Sequence, residues 1–426
     1  MRMTWWLAWL ALLGAARACP GQDSILSPGV PPPEGCASPT ENNPNPFPGL
    51  SAPEGCAPAI GDNLAPWTAP AGSPGRFWAE ADYVIYWLKP VCFTVPGLSV
   101  GNLSDPQPGV LGQPGSQLVQ GDSKFQLKGA NGIRPRIGVW LTDDQFLGLE
   151  AEGFVLEQVA SGGTVASNSN GGPPLFLVFQ EPNNANAALP FSVPGVVAAS
   201  SSAVGESRLW GAETNTLFHI STQRGACTLH ATALVGCRYL NLDDRVIVSN
   251  RQSLVSDPSV TASGQANFAT QNQFVGGQVG SRFGCAYGRV RLDLTTKLAF
   301  GETYLVSEVA GSPLLSGSSV QPGLVPGPLL ALPSNVGRLA SERITVVPEF
   351  NLRLRWQVCN RFYLTLGYNL LYWNKILCPG DQMDALVNTT QLPSRGPVVG
   401  PADPAPKFVF TDAFAQGLEA GFGFTF

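Results

Sequence analysis

Charge is what this chain has least of. Asp, Glu, Lys and Arg make up 13% of its 426 residues, about half the roughly 25% of an ordinary soluble protein. The 25 basic and 30 acidic residues leave a net charge of −5, so no basic footprint marks a nucleic-acid partner. Histidine occurs twice, as His219 and His230. Without a third ligand nearby, that pair is a weak metal signal. No phosphate loop, dinucleotide fingerprint or G-x-S-x-G elbow occurs, so no cofactor is expected. No stretch approaches the roughly 20 consecutive apolar residues of a membrane helix. A chain like this can enter a bilayer only as strands closed into a barrel, because lipid offers the backbone no hydrogen-bond partners.

What is present is glycine, 48 residues of it, and strict alternation. Residues 417–426 place Leu418, Ala420, Phe422, Phe424 and Phe426 on one face, with Gly417, Glu419, Gly421, Gly423 and Thr425 on the other. Successive side chains of a strand point to opposite faces, so one side of this segment is apolar and the other small or polar. Residues 289–300 set Val290, Leu292, Leu294, Thr296, Leu298 and Phe300 against Arg289, Arg291, Asp293, Thr295 and Lys297. Residues 345–356 and 361–373 repeat the pattern. Pro348 cannot donate to a ladder and predicts a bulge or irregular pairing there.

Further strands are expected at 77–88, 136–141, 147–156, 208–220, 229–240 and 274–283, with 408–426 as the last. Short connections then alternate with long ones at 89–135, 157–207, 248–273, 306–343 and 374–407. Short periplasmic turns, long surface loops and apolar-out alternation are the marks of an outer-membrane barrel. The fold expected is all-β: a transmembrane antiparallel up-and-down β-barrel of about ten strands. The apolar segment 175–179 either raises the number to twelve or forms a loop hairpin over the mouth. A secreted antiparallel sandwich explains the alternation but not the loop asymmetry.

Two sets of residues follow. An aromatic girdle is expected from Phe218, Phe283, Trp356 and Phe362 at the periplasmic rim, and from Trp87, Tyr239, Phe300, Tyr304 and Tyr372 at the surface rim. The polar faces collect Glu80, Asp82, Glu150, Glu152, Glu213, Asp293, Glu349 and Glu419, and Arg136, Arg238, Arg282, Arg289, Arg291, Lys297, Arg353, Arg355 and Arg361. The signs nearly balance, and charges in so narrow a lumen must be paired or hydrated. The choice lies between a narrow charge-lined pore and a plug of salt bridges, and the balance of signs favours the plug. Ten-stranded outer-membrane proteases use carboxylate–histidine chemistry at the surface mouth. Here His219 and His230 fall at the periplasmic end, so no catalytic residue is assigned. Asp381 and Asp384 could meet Ca²⁺ in a surface loop, but their spacing is not that of an EF-hand.

Residues 1–18 read as a cleaved signal peptide, with a basic start, an apolar stretch over 5–15 and the small-residue pattern Ala16-Arg17-Ala18. Export would permit disulfides among the nine cysteines. Residues 19–76 are rich in Pro, Asn, Ser and Gly and read as a disordered leader. Their repeated Pro-Glu-Gly-Cys-Ala motif suggests a Cys36–Cys56 loop, and Cys19 raises the question of lipidation. Elsewhere, Cys227, Cys285 and Cys359 fall beside periplasmic turns, and Cys92 and Cys378 in surface loops. Either set could staple neighbouring loops. Phe422, Phe424 and Phe426 resemble the C-terminal signal read by the barrel-insertion machinery, an expected partner along with outer-membrane lipid.

Several segments resemble the signature stretches of a planctomycetal outer-membrane barrel family known as BBP family seven. They include Glu80-Ala81-Asp82-Tyr83, Ser207-Arg208-Leu209-Trp210-Gly211-Ala212-Glu213 and Leu332-Pro333-Ser334-Asn335-Val336-Gly337-Arg338. Gly367-Tyr368-Asn369-Leu370-Leu371-Tyr372-Trp373 and Pro379-Gly380-Asp381-Gln382 continue the series in the family's order. The resemblance covers 77–426 and implies a barrel in the outer membrane. It implies no activity and transfers no catalytic residue. The role expected is structural or that of a narrow transport pore. The alternative is adhesion through the surface loops to a solute or partner the sequence does not name.

Overall fold

The computed structural model describes residues 75–316, 328–392 and 397–426. The expected signal peptide and leader, with Cys19, Cys36 and Cys56, lie outside these residues.

Ten strands close into a ring: β1 (Phe77–Leu88), β4 (Ala130–Trp140), β5 (Leu147–Leu156), β9 (Val197–Arg224), β10 (Cys227–Leu254), β11 (Thr261–Tyr287), β12 (Val290–Ser316), β13 (Gly337–Cys359), β14 (Phe362–Leu377) and β15 (Phe410–Thr425). All pairings around the ring are antiparallel, and the last strand closes on the first, with Trp78 opposite Thr425 and Leu88 opposite Ala415. Every turn at one end is short. Residues 225–226, 288–289 and 360–361 suffice for three of them.

The lipid-facing surface is legible on single strands. On β10 the outward positions Ala231, Ala233, Val235, Cys237 and Tyr239 give way at Asp243 and Arg245 to groups that belong in water. On β12 the exposed Leu292, Leu294, Leu298 and Phe300 precede Glu302. The apolar band therefore runs for ten to twelve residues from the short turns, about the 9–11 residues of a tilted transmembrane strand.

The four middle strands do not stop at that level. β9 and β10 are 28 residues long, and β11 and β12 are 27. At about 3.3 Å per residue they run roughly 90 Å, so a wall of sheet stands well above the bilayer. This corrects the expected loop at 248–273: both strands continue through it, and the connection is only 255–260. The expected loops 157–207 and 306–343 likewise surrender their flanks to β9, β12 and β13. In the connections that do remain, β2 (Val91–Val100), β3 (Gln117–Phe125), β7 (Leu175–Gln180) and β8 (Asn186–Pro190) form a second, four-stranded sheet. β6 (Val159–Ala166) pairs with the upper half of β9. The segment 175–179 is thus a hairpin strand at the mouth, not an eleventh strand of the barrel.

Two further expectations fail locally. Pro348 faces Leu298 in unbroken register, and the irregularity of β13 falls between Gln357 and Cys359 instead. Pro348 is tolerated because the ladder to β14 ends at Glu349, leaving no partner on that side for the missing N–H. The second barrel strand, β4, begins at Ala130 rather than 136, so Arg134 and Pro135 lie inside it.

Candidate functional site

Within the apolar band, the inward faces of the strands converge on one network. The structure places Glu80 and Asp82 (β1), Glu150 and Glu152 (β5), Glu213 (β9), Arg238 (β10), Arg291, Asp293 and Lys297 (β12), and Glu349, Arg353 and Arg355 (β13) on the inward face. Arg136, Arg282 and Glu419 join them, as does Arg134, which the sequence reading left in a loop. Arg289 and Arg361 do not: both are exposed on the short turns.

Arg353 bridges three carboxylates, Glu80 at 2.6 Å, Asp82 at 2.8 Å and Glu419 at 2.9 Å. Arg134 does the same higher up, reaching Glu152 at 2.5 Å, Glu349 at 2.7 Å and Glu419. Arg136 joins Glu80 at 2.9 Å to Glu152 at 2.6 Å. Arg238 and Lys297 meet on Glu213, and Arg238 continues to Glu349. Arg282 holds Glu150 at 2.8 Å, and Arg291 holds Asp293 at 2.9 Å. Neutral donors complete the shell: Tyr363 donates to Glu80 and Tyr86 to Glu419. Eight carboxylates and eight cationic groups take part. The network therefore carries no net charge.

It is also dry. The Glu80 and Glu150 side chains are 0% exposed, and even Arg291 and Arg355, nearest the short turns, reach only 14% and 15%. Residues lining a water-filled pore would be wetted. These are covered by one another.

Above the charges the lumen turns apolar. Val84, Tyr86, Leu88, Phe154, Leu156, Leu240, Phe274 and Trp373 form a first buried layer. Phe93 and Phe125 of the inner sheet pack a second layer against Val246, Val248 and Phe268 of the wall. Leu98, Leu175, Leu177, Phe179 and Phe191 fill a third. One small cavity, lined in part by Leu209, Leu242, Asp244 and Trp373, holds about 30 Å³, room for a water molecule or two.

The aromatic positions divide as their register requires. Phe218, Phe283, Trp356 and Phe362 lie on the outward face towards the short-turn end, and Trp87, Tyr239, Phe300 and Tyr372 near the opposite edge of the band. Phe422, Phe424 and Phe426 are exposed on the outward face of the last strand. His219 and His230 stack at 5.5 Å, with Thr232 hydrogen-bonded to His219 at 2.8 Å. Among the described residues no group of three His, Cys, Asp or Glu could hold a metal. Asp384 is ion-paired with Lys407 at 3.0 Å, and burial raises the carboxyl pKa of Asp381. Neither carboxylate favours the calcium site weighed from sequence.

The family model described as "Putative beta barrel porin-7 (BBP7)" matches residues 78–426. The chain belongs to this family. As a BBP7 member it is an integral outer-membrane β-barrel protein. Among curated proteins none matches it. Solved structures similar to this BBP7 chain include the Escherichia coli outer membrane protease OmpT, at 9% identity and a TM-score of 0.35, over 83% of this chain and 98% of that one. They also include the Pseudomonas putida toluene transporter TodX, at 9% identity and a TM-score of 0.18, over 83% and 91%. A Pseudomonas aeruginosa FadL homologue matches at 7% identity and a TM-score of 0.18, over 83% and 90%. Likeness at this level carries no argument about what the BBP7 chain does.

Proposed function

We propose that the barrel is closed and serves as a structural anchor, fixing the tall sheet above the bilayer to the outer membrane. The observation that supports this reading is the dry, charge-neutral network capped by three apolar layers. A hydrated ion would have to displace both. The lumen charges then act as a salt-bridge plug rather than as a permeation path. Long surface connections displayed on a rigid wall are where a partner would be met.

The family description keeps transport as a second reading. Passage would require the inner sheet to leave the mouth and the salt bridges to part. Catalysis is not part of the proposal, because the two histidines sit at the periplasmic end with no carboxylate–histidine pair at the surface mouth. Export through a removed signal peptide at residues 1–18, and delivery to the insertion machinery through Phe422, Phe424 and Phe426, complete the reading.

Conductance in a planar bilayer tests it. Refolded wild-type barrel, shown to be inserted by its heat-modified gel mobility, is expected to be silent. Removal of residues 91–125, which carry β2 and β3, is expected to leave insertion intact and raise brief openings. Steady conductance of the wild type would overturn the closed barrel and make transport the working function.

A further inference from the structure

The material filling the surface mouth carries two cysteines that the closed barrel does not by itself use. Cys92 lies on β2 of the inner sheet. Cys378 follows the wall strand β14 directly and caps the short helix η1 (Pro379–Gln382). The Cys92 thiol donates to the Pro90 carbonyl at 3.8 Å, and the two thiols shift each other's pKa in opposite directions. The backbones are close. A methyl group added at Gly380 would meet the Cys92 carbonyl oxygen at 1.9 Å and the Cys92 Cβ at 3.2 Å. The Thr94 hydroxyl donates to the Gly380 carbonyl. Both sulfurs are free thiols in this structure.

The remaining described cysteines show why this pair stands apart. Cys227 and Cys285 are diagonal neighbours, since Cys227 faces Tyr287 and Leu229 faces Cys285. Their side chains also interact, but diagonal Cα atoms are typically about 7–8 Å apart, beyond the usual span of a disulfide. Cys237 points outward from β10 within the lipid-facing band. Cys359 is disulfide-bonded.

We propose that Cys92 and Cys378 are oxidised to a disulfide in the exported protein, forming a covalent tie between the inner sheet and the barrel wall. The oxidant is a thiol–disulfide oxidoreductase in its disulfide form, of the kind that oxidising compartments supply. The Cys92 thiolate attacks that disulfide, and Cys378 then displaces the oxidoreductase from the mixed intermediate. Two S–H bonds break and one S–S bond forms. The oxidoreductase's own S–S bond breaks in turn, and the two protons and two electrons leave on it as its dithiol. The environment suits these roles: the hydrogen bond from Cys378 lowers the Cys92 thiol pKa to about 6, which populates the nucleophile at neutral pH.

The bond itself stands on these contacts alone. Its effect, holding the inner sheet in the mouth, rests on the closed-barrel reading. The two fail separately, because a conducting barrel with the bond intact would overturn the plug and leave the tie.

Peptide mapping of full-length protein taken from outer membranes tests the tie, with free thiols blocked by iodoacetamide at lysis. The result expected without reductant is a linked pair of peptides carrying Cys92 and Cys378, two hydrogens lighter than their sum and lost on reduction. Alkylation of both cysteines in the unreduced protein overturns the proposal, as does pairing of either with another cysteine. Cys92→Ser should leave Cys378 alkylated. Reductant should lower the melting temperature of the wild type by more than that of Cys92→Ser, which keeps only the Cys359 disulfide to lose. An equal fall in both would show that the loss lies elsewhere and would overturn the tie.

Discussion

Arg353 spans the seam where the ring closes, holding Glu80 and Asp82 of the first strand and Glu419 of the last. Removing one partner of a buried ion pair strands the others without compensation, at a cost of about 3–5 kcal/mol. Arg353→Ala should therefore lower the free energy of urea unfolding of the barrel by that order, read by tryptophan fluorescence in detergent, without opening a conductance. A second residue carries a pH signature. Asp244 stands on β10 beyond the rim marked by Tyr239, and burial raises its pKa to about 7. Its folded-state pKa lies above the unfolded value near 3.9, so the native state keeps the proton longer. Stability present at low pH should then be lost as pH rises from about 4 through about 7. Asp244→Asn should remove that part of the slope. A parallel profile in the variant, measured by thermal melting, would show that Asp244 does not titrate there. Most of the network could be read from alternation, but Arg134 could not. It precedes Pro135, a residue that argues against an interior strand. The structure accommodates Pro135 facing lipid, with the β4–β5 ladder interrupted at 134 and 135.

The last strand shows what glycine does in this barrel. A Cβ at Gly417 would lie 1.8 Å from the Tyr86 ring, and one at Gly423 would lie 2.4 Å from Tyr363. These absences make room for the two phenols that cap Glu419 and Glu80. Gly417→Leu should force the seam apart at a cost of about 1–3 kcal/mol or more, seen as loss of the heat-modifiable folded band on a gel. The transmembrane parts of the strands were plain in the sequence because lipid demands an apolar outer face. The upper parts were not, and the reason is solvent. Above the rim the outward positions Gln271, Asn267, Gln265 and Ser263 face water, while Thr270, Ala266, Gly264 and Ala262 leave space inside for the inner sheet. Polar outside and small within reads as a loop when the second sheet is not in view.

Taken together, the chain is a barrel of ordinary height carrying a wall of sheet. Its orientation is open to direct test. Cysteine placed at Ser259, in the 255–260 connection, should react with a membrane-impermeant maleimide on intact cells. Cysteine placed at Gly225, in the opposite short turn, should react only after lysis. The reverse pattern would invert the molecule. The salt-bridge plug could be weighed from the sequence, but the apolar filling above it could not. The three apolar layers come from strands and connections far apart in sequence, and only the fold brings Phe93 and Phe125 against Val246, Val248 and Phe268.

The way the charges are distributed among the strands bears on how such a ring comes together. β1 brings Glu80 and Asp82, β15 brings Glu419, and neither strand contributes a cation to the network. The guanidinium groups that neutralise them arrive on other strands, Arg134 and Arg136 on β4 beside β1, and Arg353 and Arg355 on β13, two strands from β15. Three carboxylates approaching across an open seam repel. Bringing the first strand onto the last is therefore electrostatically uphill until β4 and β13 are also in place.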